Sequence, residues 1–296
     1  MTVRFPAVAG AFYEGSPGAL RAQIQKCFAH AIGPGKRPEA SKKRNVRRLK
    51  ALVVPHAGFA YSGPVAAHAY AALAAEGFPD LFLIFGPNHH RGFQGGVATS
   101  RQDWETPLGA VAVDEKLQRA VTKGIIEVND GVQRDEHSIE VQLPFLQMLA
   151  PPGTRVAFVP VCMGLQDYEV SERAGRIVAE AIKADGRDVL IIASTDFTHV
   201  GYNYGQMPPN GTSCGEFARA QDAIALERIL ALDPGGLALA VQQHDITMCG
   251  PGPAMAALTA ANALGARKAR LLKYANSADV TGDRGLAVGY GAVAIE

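Results

Sequence analysis

The chain lacks a long apolar run, a dense cysteine framework and an excess of charge of one sign. No segment reaches the ~18 consecutive apolar residues of a membrane span, and no signal-peptide core follows the first residues, so we expect no membrane association. The four cysteines show no CxxC spacing, which predicts free thiols and a cytoplasmic location. A formal net charge of +1 argues against nucleic acid as a partner.

The overall composition is that of an ordinary globular protein. Of the 296 residues 48% are hydrophobic and 19% are charged, which is enough apolar material for one large core. We predict a single domain over 1–296. The basic residues between 36 and 48 fall in a connector at about 33–49, which we interpret as a solvated loop.

Short apolar runs alternate with helical segments along the chain. The predicted strands are 50–55, 81–86, 156–161, 188–193, 269–275 and 286–294. The predicted helices are about 17–31, 63–76, 114–123, 135–149, 168–184, 215–231, 234–242 and 252–264. This alternation predicts an α/β fold of three layers (α/β/α), with helices on both faces of a mainly parallel central sheet.

Two histidines follow buried strands directly. His56 comes after the strand at 50–55, and His89 comes after the strand at 81–86. In open α/β sheets, ligands bind beyond the carboxyl ends of the strands, so imidazoles at two such ends favour a shared site. His90 adjoins His89, and we expect it to be a neighbour of the site rather than a ligand.

Other reactive residue types occupy similar positions. Asp196 and His199 follow the strand at 188–193, and Cys249 precedes the helix at 252–264. A helix N-terminus favours anions, so we expect it to lower the pKa of Cys249. His137 lies in an acidic stretch at a predicted helix start.

Several interpretations of these residues remain open. The histidines could be turn residues bonded to the backbone, Asp196 a turn cap and Cys249 a small buried residue. Two imidazoles and a thiolate would instead suit copper, zinc or iron(II), and would exclude magnesium and calcium. A nucleophilic cysteine assisted by a histidine and an aspartate, without metal, is a further interpretation.

The motifs that carry these residues resemble those of the Memo family, named in prokaryotes for the AmmeMemoRadiSam system. The matching stretches span nearly the whole chain in order: Ala-Gly-Ala-Phe-Tyr at 9–13, Pro-His-Ala-Gly at 55–58, Gly-Pro-Asn-His-His at 86–90, Asp-Glu-His-Ser-Ile-Glu at 135–140, Ser-Thr-Asp-Phe-Thr-His at 194–199, Thr-Met-Cys-Gly at 247–250 and Tyr-Ala-Asn-Ser at 274–277.

The resemblance implies a fold similar to that of the class III extradiol dioxygenases, which are non-haem iron(II) enzymes. It implies metal ligands at His56, His89 and Cys249, with the cysteine at the place of the dioxygenases' acidic ligand. His199 matches the dioxygenases' acid–base histidine, and Asp196 lies beside it. Eukaryotic relatives are linked to receptor signalling and to copper or iron chemistry, and prokaryotic ones often occur beside a radical-SAM protein.

We therefore expect a metal-dependent redox protein that uses iron(II) or copper, with zinc as a further option. His56, His89 and Cys249 are the expected ligands, His199 oriented by Asp196 is the expected proton carrier, and His137 is expected to support the ligands. The alternative is a scaffold that binds a peptide, a small molecule or a metal without turnover.

Overall fold

The structure is a computed structural model that describes residues 3–40, 47–90, 93 and 96–296. Its helices are α1 Pro17–Ala29, α2 Gly63–Glu76, α3 Glu115–Val121, α4 Asp130–Gln133, α5 Leu143–Leu149, α6 Tyr168–Asp185, α7 Cys214–Leu230, α8 Pro234–Gln243, α9 Pro251–Ala263 and α10 Ser277–Thr281. Its strands are β1 Val3–Arg4, β2 Ala51–Val54, β3 Leu81–Pro87, β4 Val97–Thr99, β5 Asp103–Thr106, β6 Gly109–Val113, β7 Ile126–Val128, β8 Ala157–Met163, β9 Val189–Ser194, β10 His199–Gly201, β11 Ala269–Asn276 and β12 Leu286–Ile295. Part of the predicted basic connector, 41–46, lies outside the described residues.

The described strands join in one sheet whose main order is β1-β5-β6-β8-β3-β9-β2-β12-β10. The five neighbours β6, β8, β3, β9 and β2 are all parallel, whereas β12 runs antiparallel to β2, β10 and β11. The predicted mainly parallel sheet is therefore confirmed in its centre, and the antiparallel pairs lie towards its margins.

Side chains of the central strands alternate between two apolar layers. In β2, Ala51 and Val53 face the layer formed with α3, α6, α7, α8 and α9, while Leu52 and Val54 face α1, α2 and α5. Because successive strand residues point to opposite faces, a continuous apolar run fills both layers. The three-layer α/β/α architecture predicted from the sequence is confirmed.

The segment 135–149 differs from the predicted helix. Residues 134–139 form an irregular loop, a 3-10 turn spans Glu140–Gln142, and α5 begins only at Leu143. Pro144 explains the late start, because proline has no N–H and fits the first turn of a helix better than its interior. The loop that results carries the residues that reach the candidate site.

No described helix combines the length and apolar character that crossing a bilayer requires.

Candidate metal centre

Three parallel strands deliver polar side chains to one edge of the sheet. His56 lies two residues beyond the end of β2, His89 two beyond β3 and Asp196 two beyond β9. Since β2, β9 and β3 are direct neighbours, the three side chains converge. They line a cavity of about 570 Å³ that His137 and His199 also line.

His56 forms the floor of the site and is only 1% exposed. Its Nδ1 lies 3.0 Å from Oγ of Ser194. That hydroxyl donates to the carbonyl of Ser138 at 2.6 Å, so it accepts the proton of His56 Nδ1 and leaves Nε2 unprotonated, with its lone pair towards Sγ of Cys249. Burial, followed by the charges of His89 and His137, lowers the pKa of His56 well below its usual value. A neutral imidazole with free Nε2 is the form that binds metals.

His89 is held by the buried carboxylate of Glu136. Its Nδ1 donates to Glu136 Oε1 at 3.0 Å, and its backbone N–H donates to Oε2 at 2.6 Å. This carboxylate–histidine pair fixes the ring orientation and again leaves Nε2 free, an arrangement typical of metal-ligating histidines. The rings of His56 and His89 meet edge to face, with their centroids 5.2 Å apart.

Glu136 is ionised although its side chain is only 1% exposed. Burial alone would raise its pKa, but the hydrogen bond from His89 and the imidazoles of His89 and His137 hold it below the usual range. Two backbone N–H groups, of His137 and Ser138, also donate to Oε1 at 2.8 and 2.7 Å. The loop at 134–139 is thus arranged around this one carboxylate.

Gly86 allows that loop to approach the end of β3. A Cβ atom at this position would lie 2.5 Å from Oγ of Ser138 and 2.7 Å from Cγ1 of Ile139. Because such distances are far below van der Waals contact, only glycine fits here without displacing the loop. This glycine precedes His89 by three residues, so it also helps to position that candidate ligand.

His137 lies beside the candidate ligands His56 and His89 rather than behind them. Its ring stacks on His89 at a centroid distance of 4.5 Å and an angle of 26°, and it meets His56 edge to face at 5.5 Å. The ring of Phe12 contacts it at 4.6 Å. Burial lowers its pKa to about 4, so its imidazole is neutral at pH 7. From sequence we expected a supporting position, but the geometry also offers His137 as a ligand.

Cys249 approaches His56 from the other side of the site. Its Sγ lies 3.2 Å from His56 Nε2 and accepts the backbone N–H of Asp196 at 3.3 Å. The expectation that the helix N-terminus lowers its pKa is wrong: burial and the Asp196 carboxylate raise it well above the usual value. The dipole of α9 would lower the pKa of the thiol, but this effect is outweighed because the thiol lies out of water and next to an acidic group.

Asp196 and His199 do not form a direct pair. Oδ1 of Asp196 accepts the backbone N–H groups of His56 and Ala57 at 2.8 and 3.3 Å. His199 Nδ1 lies 2.8 Å from the carbonyl of Phe197 and 3.2 Å from that of Thr247. These backbone carbonyls therefore orient the ring of His199, whereas Asp196 is bonded to the turn that carries His56.

The potential ligand atoms fall into two groups that share His56. Within each group all ligand atoms lie within 4.8 Å of one another. One group contains His56, His89 and His137, and the other contains His56, Asp196 and Cys249. Over the described residues, neither group joins His89 with Cys249, so the predicted ligand set of His56, His89 and Cys249 stays a prediction. His90 belongs to neither, and its Nε2 contacts the carbonyl of Asp135 at 2.8 Å.

Sequence reasoning missed two residues that orient the histidines. Glu136 was considered only as part of an acidic first turn, although its position next to a histidine was an available signal. Gln142 gave no signal at all: its Nε2 donates to Ser194 Oγ at 2.7 Å and to the carbonyl of Pro55 at 3.1 Å. It thereby supports both the turn before His56 and the hydroxyl that holds its ring.

Comparison with known proteins identifies the family. The model of the family described as Memo-like protein matches residues 4–294. The chain belongs to the Memo family. A MEMO1 family protein of Methanothermobacter thermautotrophicus is 44% identical over 97% of this chain and 98% of its own length. A MEMO1 family protein of Methanopyrus kandleri is 41% identical over 98% of each chain.

A solved structure supports the fold of this Memo family member. The crystal structure of an uncharacterized protein from Escherichia coli K12 is similar with a TM-score of 0.55 and 14% identity, and it covers 83% of this chain and 99% of its own. At this identity the likeness concerns the fold alone.

Proposed function

We propose that this Memo family member is a metal-dependent redox protein that binds one iron(II) or copper ion at the sheet edge, with His56, His89 and Cys249 as ligands. The observation that carries the proposal is the state of the two imidazoles. Each donates Nδ1–H to a fixed acceptor, Ser194 or Glu136, and so has an unprotonated Nε2, which in His56 faces Sγ of Cys249. Such orientation is what metal-ligating histidines need.

The chemistry of the donors fits the proposed ion. Neutral imidazoles suit zinc, copper and iron, and a thiolate adds preference for softer ions such as copper(I). Binding would displace the proton of Cys249, because a metal-bound thiol is deprotonated. An iron(II) or copper ion held there would supply one-electron redox chemistry with a position open to a small ligand. Zinc fits the same donors but supplies no redox chemistry.

The rest of the cavity would bind the ligand and handle protons. His199 donates its Nδ1–H to backbone carbonyls, so Nε2 is the atom at which a proton can be accepted or released. Tyr204 packs edge to face on His199 at 5.0 Å, and Tyr61 lines the same cavity. These aromatic walls favour a small organic molecule or a peptide side chain as the ligand.

The protonation state of Cys249 argues against a metal-free cysteine nucleophile. Its raised pKa leaves it as a thiol at neutral pH, and the imidazole that contacts its Sγ, at 3.2 Å, is that of His56, whose own pKa is lowered well below the usual value. A nucleophilic cysteine needs its thiolate form, and an imidazole with so low a pKa is too weak a base to remove the proton of this thiol. This interpretation also leaves His89 and its carboxylate partner without a role.

A binding module without turnover is the second candidate function, because Tyr61 and Tyr204 are 46% and 42% exposed at the cavity. Exposed aromatic side chains around a pocket are typical of recognition sites. The two candidates differ in one observable: a binding module keeps its ligand when the metal is removed, and shows no metal-dependent consumption of oxygen or reductant.

We also propose a cytoplasmic location, supported by four cysteines that are all free. Partners from a radical-SAM system stay an expectation from the family resemblance.

Metal analysis of the untagged protein tests the proposal. We expect about one iron or copper ion per chain in the wild type, and a loss of most of it in His56→Ala and Cys249→Ser. His90→Ala and Cys214→Ser are matched controls, since neither residue belongs to a ligand group. Unchanged metal content in both ligand variants would exclude the proposed site.

A further inference from the structure

We infer that His137 is an alternative third ligand, which competes with Cys249 for the ion held by His56 and His89: borderline ions take the three imidazoles and copper(I) takes the thiolate. The inference rests on the proposed function and concerns how the same site selects its ion. In this inference His137 binds the ion directly, whereas from the sequence we expected it only to support the ligands.

The geometry offers two candidates for the third ligand, each of which contacts His56. The ligand atoms of His56, His89 and His137 form one compact group, while Cys249 belongs with His56 to the other. Among the residues described, no such group contains Cys249 together with His137 or with His89. One ion with bonds of about 2.0–2.3 Å is therefore expected to use either His137 or Cys249 as its third ligand, and binding through the thiolate requires His89 and Cys249 to approach each other.

His137 is built as a ligand rather than as a loose surface residue. Its side chain is only 16% exposed, and it is confined between the rings of Phe12 and His89. Its backbone N–H is fixed by Glu136, the same carboxylate that orients His89. A single carboxylate thus positions two of the three imidazoles, so the group is largely assembled before an ion arrives.

The chemistry of the donors predicts the selection. Imidazole is a borderline donor that suits Zn²⁺, Co²⁺ and Fe²⁺, whereas thiolate is a soft donor that suits copper(I). Cobalt(II) and copper(I) therefore serve as probes of the two groups. Cobalt(II) also reports its own ligands, because a bound thiolate gives it an intense near-ultraviolet charge-transfer band.

Binding of cobalt(II) and of copper(I) is measured separately by chelator competition under anaerobic conditions. The proteins are the wild type, His137→Gln, Cys249→Ser and the control His90→Gln. For cobalt(II), we expect His137→Gln to weaken binding about tenfold or more and Cys249→Ser to change it less than about threefold. For copper(I), we expect Cys249→Ser to weaken binding about tenfold or more and His137→Gln to change it less than about threefold. The control His90→Gln should change the binding of neither ion.

X-ray absorption of the loaded wild type supplies a test that needs no variant. We expect nitrogen neighbours without sulfur for cobalt(II), and one sulfur neighbour for copper(I). A sulfur neighbour around both ions, or His137→Gln binding both ions like the wild type, would overturn the inference and leave the proposed function intact. Failure of the wild type to bind either ion would overturn the proposed function itself.

Discussion

Two buried carboxylates, Glu136 and Asp222, hydrogen-bond to His89 and to Thr198 beside His199, and their pKa values are shifted in opposite directions. Glu136 receives the imidazole of His89 and three backbone N–H groups, and its pKa is held below the usual range despite burial. Asp222 receives the N–H of Thr198 at 2.8 Å and the hydroxyl of Tyr274 at 2.6 Å, and burial raises its pKa to about 6. Burial is similar, so the number and charge of the donors decide the difference.

The contrast distinguishes the proposed ion-binding side of the site from the side that carries His199. Glu136 is placed to keep a negative charge beside the histidines, which strengthens them as ligands. Asp222 accepts the N–H of Thr198, just before His199, and its hydrogen-bond donors, this N–H and the hydroxyl of Tyr274, are uncharged. A Cβ at Gly289 would lie 1.8 Å from its Oδ2, so the packing around it is close. The surroundings of Glu136 therefore favour its charged form, whereas the surroundings of Asp222 favour the protonated form.

The largest expected effect tests the anchoring of the ligand side. Arg4 donates to Glu140 Oε2 at 2.6 Å and to the carbonyl of Glu136, and both members of this ion pair are buried. Arg4→Met leaves the Glu140 charge without its cation, and we expect unfolding free energy to fall by about 3–5 kcal/mol. Urea denaturation measures this free energy of unfolding. The matched control is Arg119→Met, whose exposed pair with Glu115 is expected to contribute less than about 0.5 kcal/mol. Equal effects of the two variants would refute the anchoring role.

The next effect concerns Asp222 and pH. Its folded pKa of about 6 lies above the value of 3.8 for the free side chain. Its stabilising contribution is therefore present below pH 3.8 and is lost as the pH rises through 6, by roughly 3 kcal/mol for a shift of two units. We expect the difference in unfolding free energy between wild type and Asp222→Asn to decline by this amount between pH 4 and 7. A difference independent of pH would contradict the assignment.

A smaller effect is expected when the carboxylate behind His89 loses its charge. Glu136→Gln keeps the size of the side chain but weakens the hold on His89, and we expect zinc affinity to fall about 10–100-fold. Competition with a fluorescent chelator measures this zinc affinity. The control is Asp135→Asn, which changes the neighbouring acidic residue that is exposed to solvent. An equal loss in the control would mean that general charge, and not the Glu136 contact, supports binding.

The elements of the fold were largely predictable, because local signals coincide with them. The predicted helix at 63–76 matches α2, and the apolar run at 81–86 matches β3 to within one residue. The helix expected over 135–149 was wrong in its first half, since the pairing of Glu136 and Glu140 with distant partners holds 134–139 out of helical form. Such partners lie about 47 and 136 residues away, and no local pattern reports them.

The site was predictable in its residue types but less so in its arrangement. Strand ends located His56, His89 and Asp196 because parallel neighbours bring such ends together. The direct approach of Cys249 to His56 arises from the packing of α9 on the sheet, and the tautomers of both histidines depend on Ser194 and Glu136. These contacts connect distant parts of the chain, so spacing along the sequence could not reveal them.

The most direct test of the metal site is an anomalous difference map from crystals loaded with copper(I). We predict one copper peak per chain, within about 2.0–2.1 Å of Nε2 of His56 and His89 and about 2.3 Å from Sγ of Cys249. A loaded crystal with no copper peak at these residues, or with its copper bound elsewhere, would contradict the proposal.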